Sequence, residues 1–82
     1  MKAPILKSGQ YSVLSAELNT GIILNTNFKR YVGGEDVFHI FETYDLVIEF
    51  IEKKLNEISS YEFNIYNSKG EFLVTKDKNG KR

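Results

Sequence analysis

The chain has 82 residues with no Cys, no Trp and a single His, enough for one small domain and too few for two. Eleven Lys and Arg balance eleven Asp and Glu, so the formal charge is zero and a uniformly basic nucleic-acid binder is disfavoured. Hydrophobic residues at 41% and aromatics at 13% exclude the highly charged disordered class, and the lack of Cys excludes a disulfide framework or a thiolate metal site.

Met1 to Gly9 contains the only proline, Pro4, and reads as a loosely ordered lead-in. Gln10 to Leu18 alternates with period two, Ser12, Leu14, Ala16 and Leu18 on a mainly apolar face and Tyr11, Val13, Ser15 and Glu17 on a mixed one, which predicts a strand. Asn19-Thr20-Gly21 supplies turn chemistry, and a return strand is expected from Ile22 to about Phe28. Lys29 to Asp36 is read as a loop and Val37 to Phe41 as a short strand, with Val37, His39 and Phe41 opposing Phe38 and Ile40.

Thr43 is a plausible helix N-cap, with Asp45 favourably placed in the first turn. Tyr44, Val47, Ile48, Ile51, Leu55 and Ile58 then recur at helical spacing in one stripe, the breadth expected of a helix laid on a sheet. Ser59-Ser60 ends the helix, Tyr61 to Tyr66 alternates as a strand, and Asn67-Ser68-Lys69-Gly70 turns the chain into Glu71 to Thr75. Lys76 to Arg82 is expected to be a mobile basic tail. The fold class that follows is α+β: a single two-layer domain over 1–82, in the order β-β-(β)-α-β-β, with one helix on one face of an antiparallel sheet of four to five strands. The uncovered sheet face would carry some of Tyr11, Val13, Ile23, Tyr66 and Leu73, with Ser15, Asn25 and Asn27.

Motifs for chemistry are sparse. The string Arg30 to Phe38 departs from the nucleotide-binding hairpin of diguanylate cyclases, because Val32 separates the aromatic from Gly33-Gly34 and Val37 follows Asp36 where Phe is needed. The glycines are read instead as a positive-φ connection. His39 lacks a sequence-specified acid or nucleophile and reads as a half-buried strand residue. Asp45, Glu49 and Glu52 share a helix face without EF-hand spacing. Catalytic residues, a metal site and a cofactor are accordingly not expected, and the protein is not expected to be an enzyme.

Charge is unevenly distributed. Residues 1–34 set Lys2, Lys7, Lys29 and Arg30 against Glu17, a net +3, and residues 63–82 are also +3. Residues 35–62, with eight acids against Lys53 and Lys54, are −6. Such a field steers a basic protein towards the helix and repels nucleic acid. Leu46 and Phe50 lie off the apolar stripe, so they are expected at the edge or outside, unless Lys29 to Asp36 folds over them. Together Asp45, Leu46, Glu49, Phe50 and Glu52 form the expected protein-binding face, an apolar pair inside an acidic rim.

Phe41-Glu42-Thr43-Tyr44-Asp45 leading into the helix, and Tyr66-Asn67-Ser68-Lys69-Gly70-Glu71-Phe72 in the last hairpin, resemble small α+β bacterial immunity-type proteins. The resemblance covers about the last 45 residues and implies a cytoplasmic, non-catalytic inhibitor offering an acidic surface to a basic toxin domain. The longest apolar run is only Gly21 to Leu24 and the start has no basic stretch leading into an apolar segment, so neither a membrane partner nor a signal peptide is expected. A chain this short rarely retains more than about 3–5 kcal/mol of net stability, which makes a homodimer the alternative expectation. A small nucleotide-binding or catalytic domain using His39 or Gly33-Gly34 is the remaining one.

Overall fold

The computed structural model describes residues 3–81; Met1 and Lys2 of the expected lead-in and Arg82 of the expected tail lie outside the described residues. The elements are β1 (Tyr11–Glu17), β2 (Phe38–Phe41), α1 (Tyr44–Glu57), β3 (Tyr61–Tyr66), β4 (Phe72–Asp77) and the two-residue β5 (Gly80–Lys81). They build an antiparallel sheet in the order β2-β1-β3-β4-β5 with the helix packed against it, the α+β class expected. Because β2 and β3 both run antiparallel to β1, on its two sides, they are parallel to each other, and α1 is the crossover such a pair requires.

Sequence and structure agree closely at α1, except that Ile58, expected in the apolar stripe, is the C-cap and is 45% exposed. Thr43 Oγ1 accepts from the Leu46 N–H at 3.2 Å, and at the other end the Ile58 N–H donates to the Lys54 carbonyl at 2.8 Å. Val47 and Ile51 from the helix meet Val13, Phe63 and Ile65 from the sheet in a fully buried centre. Tyr11, Phe28, Phe41, Tyr44, Phe50, Leu55, Tyr61 and Val74 pack around it.

The face of β1 that meets the helix is the reverse of the one expected. Register places Tyr11 opposite Phe41, Val13 opposite both His39 and Ile65, and Ser15 opposite Phe63, and directly opposed residues share a face. Tyr11 and Val13 therefore lie under α1, while Ser12, Leu14 and Ala16 face away. Both faces of β1 are apolar enough to be buried, and the choice is made by the larger side chains of its neighbours, Phe63 and Ile65 above all.

The expected return strand from Ile22 to Phe28 does not form. Ile23 and Leu24 make only isolated bridges, to Ala16 and Arg30, and the chain then turns. Asn25 is the cause: its Oδ1 accepts from the N–H groups of Asn27 at 2.9 Å and Lys29 at 3.1 Å, diverting donors a strand would have paired. Phe28 is thereby held at φ 61°. At the other end, Lys76 and Asp77 complete β4 and Gly80–Lys81 pair back onto them, within the segment expected as a mobile tail. Asp77 Oδ1 accepts from the Asn79 N–H at 2.7 Å, and Gly80 takes the positive φ of 105° that this tight turn requires.

Candidate protein-binding surfaces

Two surfaces stand out, and the first is the sheet face turned away from α1. Ile40, Ser12, Tyr66 and Phe72 are in register as one row across β2, β1, β3 and β4. Phe38, Leu14, Asn64 and Thr75 form the next row. Ser12 and Leu14 are only 2% and 6% exposed although no helix covers them. The cover is aromatic: the rings of Phe38 and Tyr66, on opposite sides of β1, meet edge-on at 6.1 Å, and Tyr66 continues to Phe72 at 5.9 Å. This ring file leaves Ile40 48% and Phe72 55% exposed at its two ends. The polar members of the second row satisfy one another, Thr75 Oγ1 bonding Asn64 Oδ1 at 2.7 Å while Asn64 Nδ2 donates to the Leu14 carbonyl at 3.4 Å. Charge begins only in the following row, with Glu62 beside Ala16.

The second surface is the outer side of α1. Asp45, Glu49 and Glu52 are exposed together, with Leu46 44% exposed beside them. Phe50, expected at the edge or outside, is partly buried at the edge of the helix's core stripe. Its ring is packed inward against His39 at 4.8 Å, Phe41 at 5.0 Å, Phe63 at 5.9 Å and Phe28 at 6.2 Å. The buried line of the helix runs through Val47 and Ile51, so Phe50 falls on its β2-side flank, and Phe28 from the Asn25 turn supplies the cover there. The covering segment is thus the Asn25 turn, and Lys29 to Asp36 lies beyond it.

His39 sits in this aromatic cluster, stacked on Phe28 at 5.3 Å, with a buried Nε2 that meets no hydrogen-bond partner among the described residues. Burial first, and the nearby Lys54 charge second, hold its pKa below the ordinary value for histidine. The site favours neutral imidazole, so His39 serves as packing. Because the folded-state pKa is depressed, its contribution to stability is present above the unfolded-state value of about 6.5 and is lost as pH falls below it towards the folded-state value. Unfolding by urea at a series of pH values from about 7.5 to 5 should show stability decreasing, and His39→Leu should flatten that slope. A slope unchanged in the variant would assign the dependence to another group.

The Gly33-Gly34 loop is tied down from within. Glu35 Oε2 accepts from the Val32 N–H at 3.0 Å, which is the main reason that its carboxyl titrates below the ordinary range, and Tyr31 Oη accepts from the Gly34 N–H at 3.2 Å. Both glycines have the positive φ expected, 127° and 85°. Arg30 and Glu17 form a two-pronged ion pair at 3.0 and 3.2 Å on the exposed side of the same loop. The acids here act as staples. Glu52, Leu55, Asn56, Asp77 and Lys78 line a shallow depression open to solvent beside α1. Among the described residues no group of three or more His, Asp or Glu is arranged to hold a metal ion, and no helix is long and apolar enough to cross a membrane.

The fold is an α+β domain with one helix packed on one face of an antiparallel sheet. No known protein family, curated protein or solved structure matches the chain. The sheet-face residues were within reach of sequence reading, since Phe38 and Ile40 alternate with His39 and Phe41. What the alternation lacks is the strand order that sets Tyr66 and Phe72 in line with them.

Proposed function

We propose that the protein is a non-catalytic binding module that engages a protein partner through the sheet face turned away from α1. The observation that carries this reading is the continuous Phe38–Tyr66–Phe72 ring file on the sheet face turned away from α1, with Ile40 48% and Phe72 55% exposed at its ends. Apolar surface gathered in one patch and fringed by polar residues is the composition of an interaction site, with aromatic anchors at its centre. Ile40→Glu and Phe72→Glu place a charge on that patch at positions exposed enough to keep the fold. Each should abolish capture of protein from the organism's own lysate while the thermal unfolding midpoint stays within a few degrees. Capture that survives both changes would remove the sheet face from the reading.

A second reading is favoured by the exposure of Asp45, Leu46, Glu49 and Glu52 together on α1. It is the immunity-type one: a cytoplasmic inhibitor presenting this acidic ridge to a basic partner, such as a toxin domain, in a salt-sensitive complex. Glu49→Lys with Glu52→Lys would then abolish capture, and Ile40→Glu would leave it intact.

A further inference from the structure

We infer that the Asn25 turn is an acid-released cap: protonation of His39 lifts the Phe28 ring off α1 and β3 and uncovers the aromatic cluster around Phe63, while sheet and helix stay folded. The turn is held mostly by itself. Asn25 N–H donates to the Lys29 carbonyl at 2.8 Å and Phe28 N–H to the Asn25 carbonyl at 2.9 Å, beside the two bonds that Asn25 Oδ1 accepts. Its other hydrogen bonds reach only the segment ahead of β2, from Thr26 N–H to the Asp36 carbonyl at 2.9 Å and from Asn25 Nδ2 to Glu35 Oε2 at 3.5 Å. Among the described residues none of these bonds reaches α1 or β3. The turn is seated on them by the Phe28 ring, which meets Tyr61, Phe50, Phe63 and the Lys54 ammonium. A unit with its own hydrogen bonds and one aromatic anchor can open locally and leave the rest of the fold in place.

That anchor rests on the His39 imidazole, which is stacked on Phe28 at 5.3 Å and tilted against Phe50 at 4.8 Å. Its buried Nε2 finds no partner among the described residues. A neutral ring can leave this nitrogen bare, whereas imidazolium carries a charged N–H there that needs water or a carboxylate. The carboxylates on the surrounding elements are engaged or turned elsewhere. Glu17 of β1 is paired with Arg30, Glu35 accepts from the Val32 N–H, and Glu57 of α1 is 3.6 Å from Lys54. Asp45, Glu49 and Glu52 are exposed on the outer side of α1, Asp36 and Glu42 are exposed beyond the ends of β2, and Glu62 of β3 shares the far sheet face with Ala16. On the helix side β1 and β3 present the phenols Tyr11 and Tyr61, and α1 presents a like charge, Lys54, 4.8 Å from the Phe28 ring centre. Lys29, exposed on the turn itself, is a second like charge. Burial and the Lys54 charge both oppose protonation while the cap is closed. Opening admits water to Nε2, so the proton binds the open form more tightly and draws the equilibrium towards it. Because the closed-state pKa is the depressed one, the open fraction grows as pH falls below the ordinary histidine value of about 6.5, by up to about tenfold per pH unit, and levels off at the closed-state value.

NMR of the full chain from about pH 7.5 to 5 tests the cap. Nuclear Overhauser contacts of the Phe28 ring with His39 and Tyr61 should fade as the His39 Cε1 proton titrates, with the closed-to-open ratio falling by up to about tenfold per pH unit, while amide protection in α1 and β3 persists. His39→Phe keeps a ring against Phe28 and cannot take a proton, and its Phe28–Tyr61 contacts should remain at pH 5. His39→Leu provides the same neutral control should the larger ring fail to pack. Wild-type contacts that persist to pH 5 overturn the cap. So does their loss in step with amide protection in α1 and β3, which is global unfolding, or an equal loss in the neutral variants, which assigns the opening to another group.

Discussion

Phe63→Ala is expected to abolish the folded state at 25 °C. Phe63 is fully buried between α1 and the centre of the sheet, with edge-on contacts to Phe50 at 5.9 Å, Tyr61 at 6.1 Å and Phe28 at 6.5 Å. Across the ladder it opposes Ser15, a small residue that leaves room for the ring. Truncating a buried Phe to Ala costs about 3–5 kcal/mol through lost transfer energy and the cavity left behind. A domain of this length has about that much net stability in total. Far-UV circular dichroism should show loss of the sheet and helix signal without denaturant. Phe72→Ala is the matched control: the same residue type in the same sheet, half exposed on the open face, should cost under about 1 kcal/mol. A folded Phe63→Ala protein with a urea midpoint near that of the wild type would mean that the cluster repacks around the gap.

The elements that could be read from sequence are those whose pattern is local. α1 carries its cap at Thr43, an acid in the first turn and an apolar repeat, all within one stretch of chain. β3 has the predicted bounds, Tyr61–Tyr66, because alternation there is flanked by Ser59-Ser60 and the Asn67 turn. The misread parts depend on longer reach or on competition. Ile22 to Phe28 alternates as a strand does, yet Asn25 takes the backbone donors of Asn27 and Lys29 for its own side chain. Which face of β1 lies under the helix depends on Phe63 and Ile65, some fifty residues further on. Helix periodicity puts Phe50 at the edge or outside unless a loop covers it, and the cover, Phe28, arrives from the Asn25 turn rather than from Lys29 to Asp36. Of the expected binding face, Asp45, Leu46, Glu49 and Glu52 are exposed as a set; the second sheet face is expected from the pattern, Tyr66 among its residues, but its membership depends on the strand order, which puts Tyr11 and Val13 under the helix instead.

Phe28→Gly is expected to be more stable than Phe28→Ala, the reverse of the usual ranking, with both well below the wild type. At φ 61° Phe28 occupies the left-handed region, where a side chain costs roughly 1–2 kcal/mol and bulky residues are rarely found. Its ring offsets that cost by stacking on Tyr61 at 5.0 Å and His39 at 5.3 Å, touching Phe50 and Phe63, and receiving the Lys54 ammonium 4.8 Å from its centre. Alanine removes the ring and retains the strain, a loss of about 2–3 kcal/mol. Glycine removes both, and recovers about 1 kcal/mol even after its greater freedom in the unfolded chain is counted. Urea midpoints of the three proteins measure the ranking. In both variants the His39 imidazole loses a stacked neighbour, and its pKa, followed by NMR, should rise towards the ordinary value as burial is relieved. If alanine equals or exceeds glycine, the turn relaxes once the ring is gone, and the ring itself, rather than the Asn25 hydrogen bonds, forces the left-handed backbone.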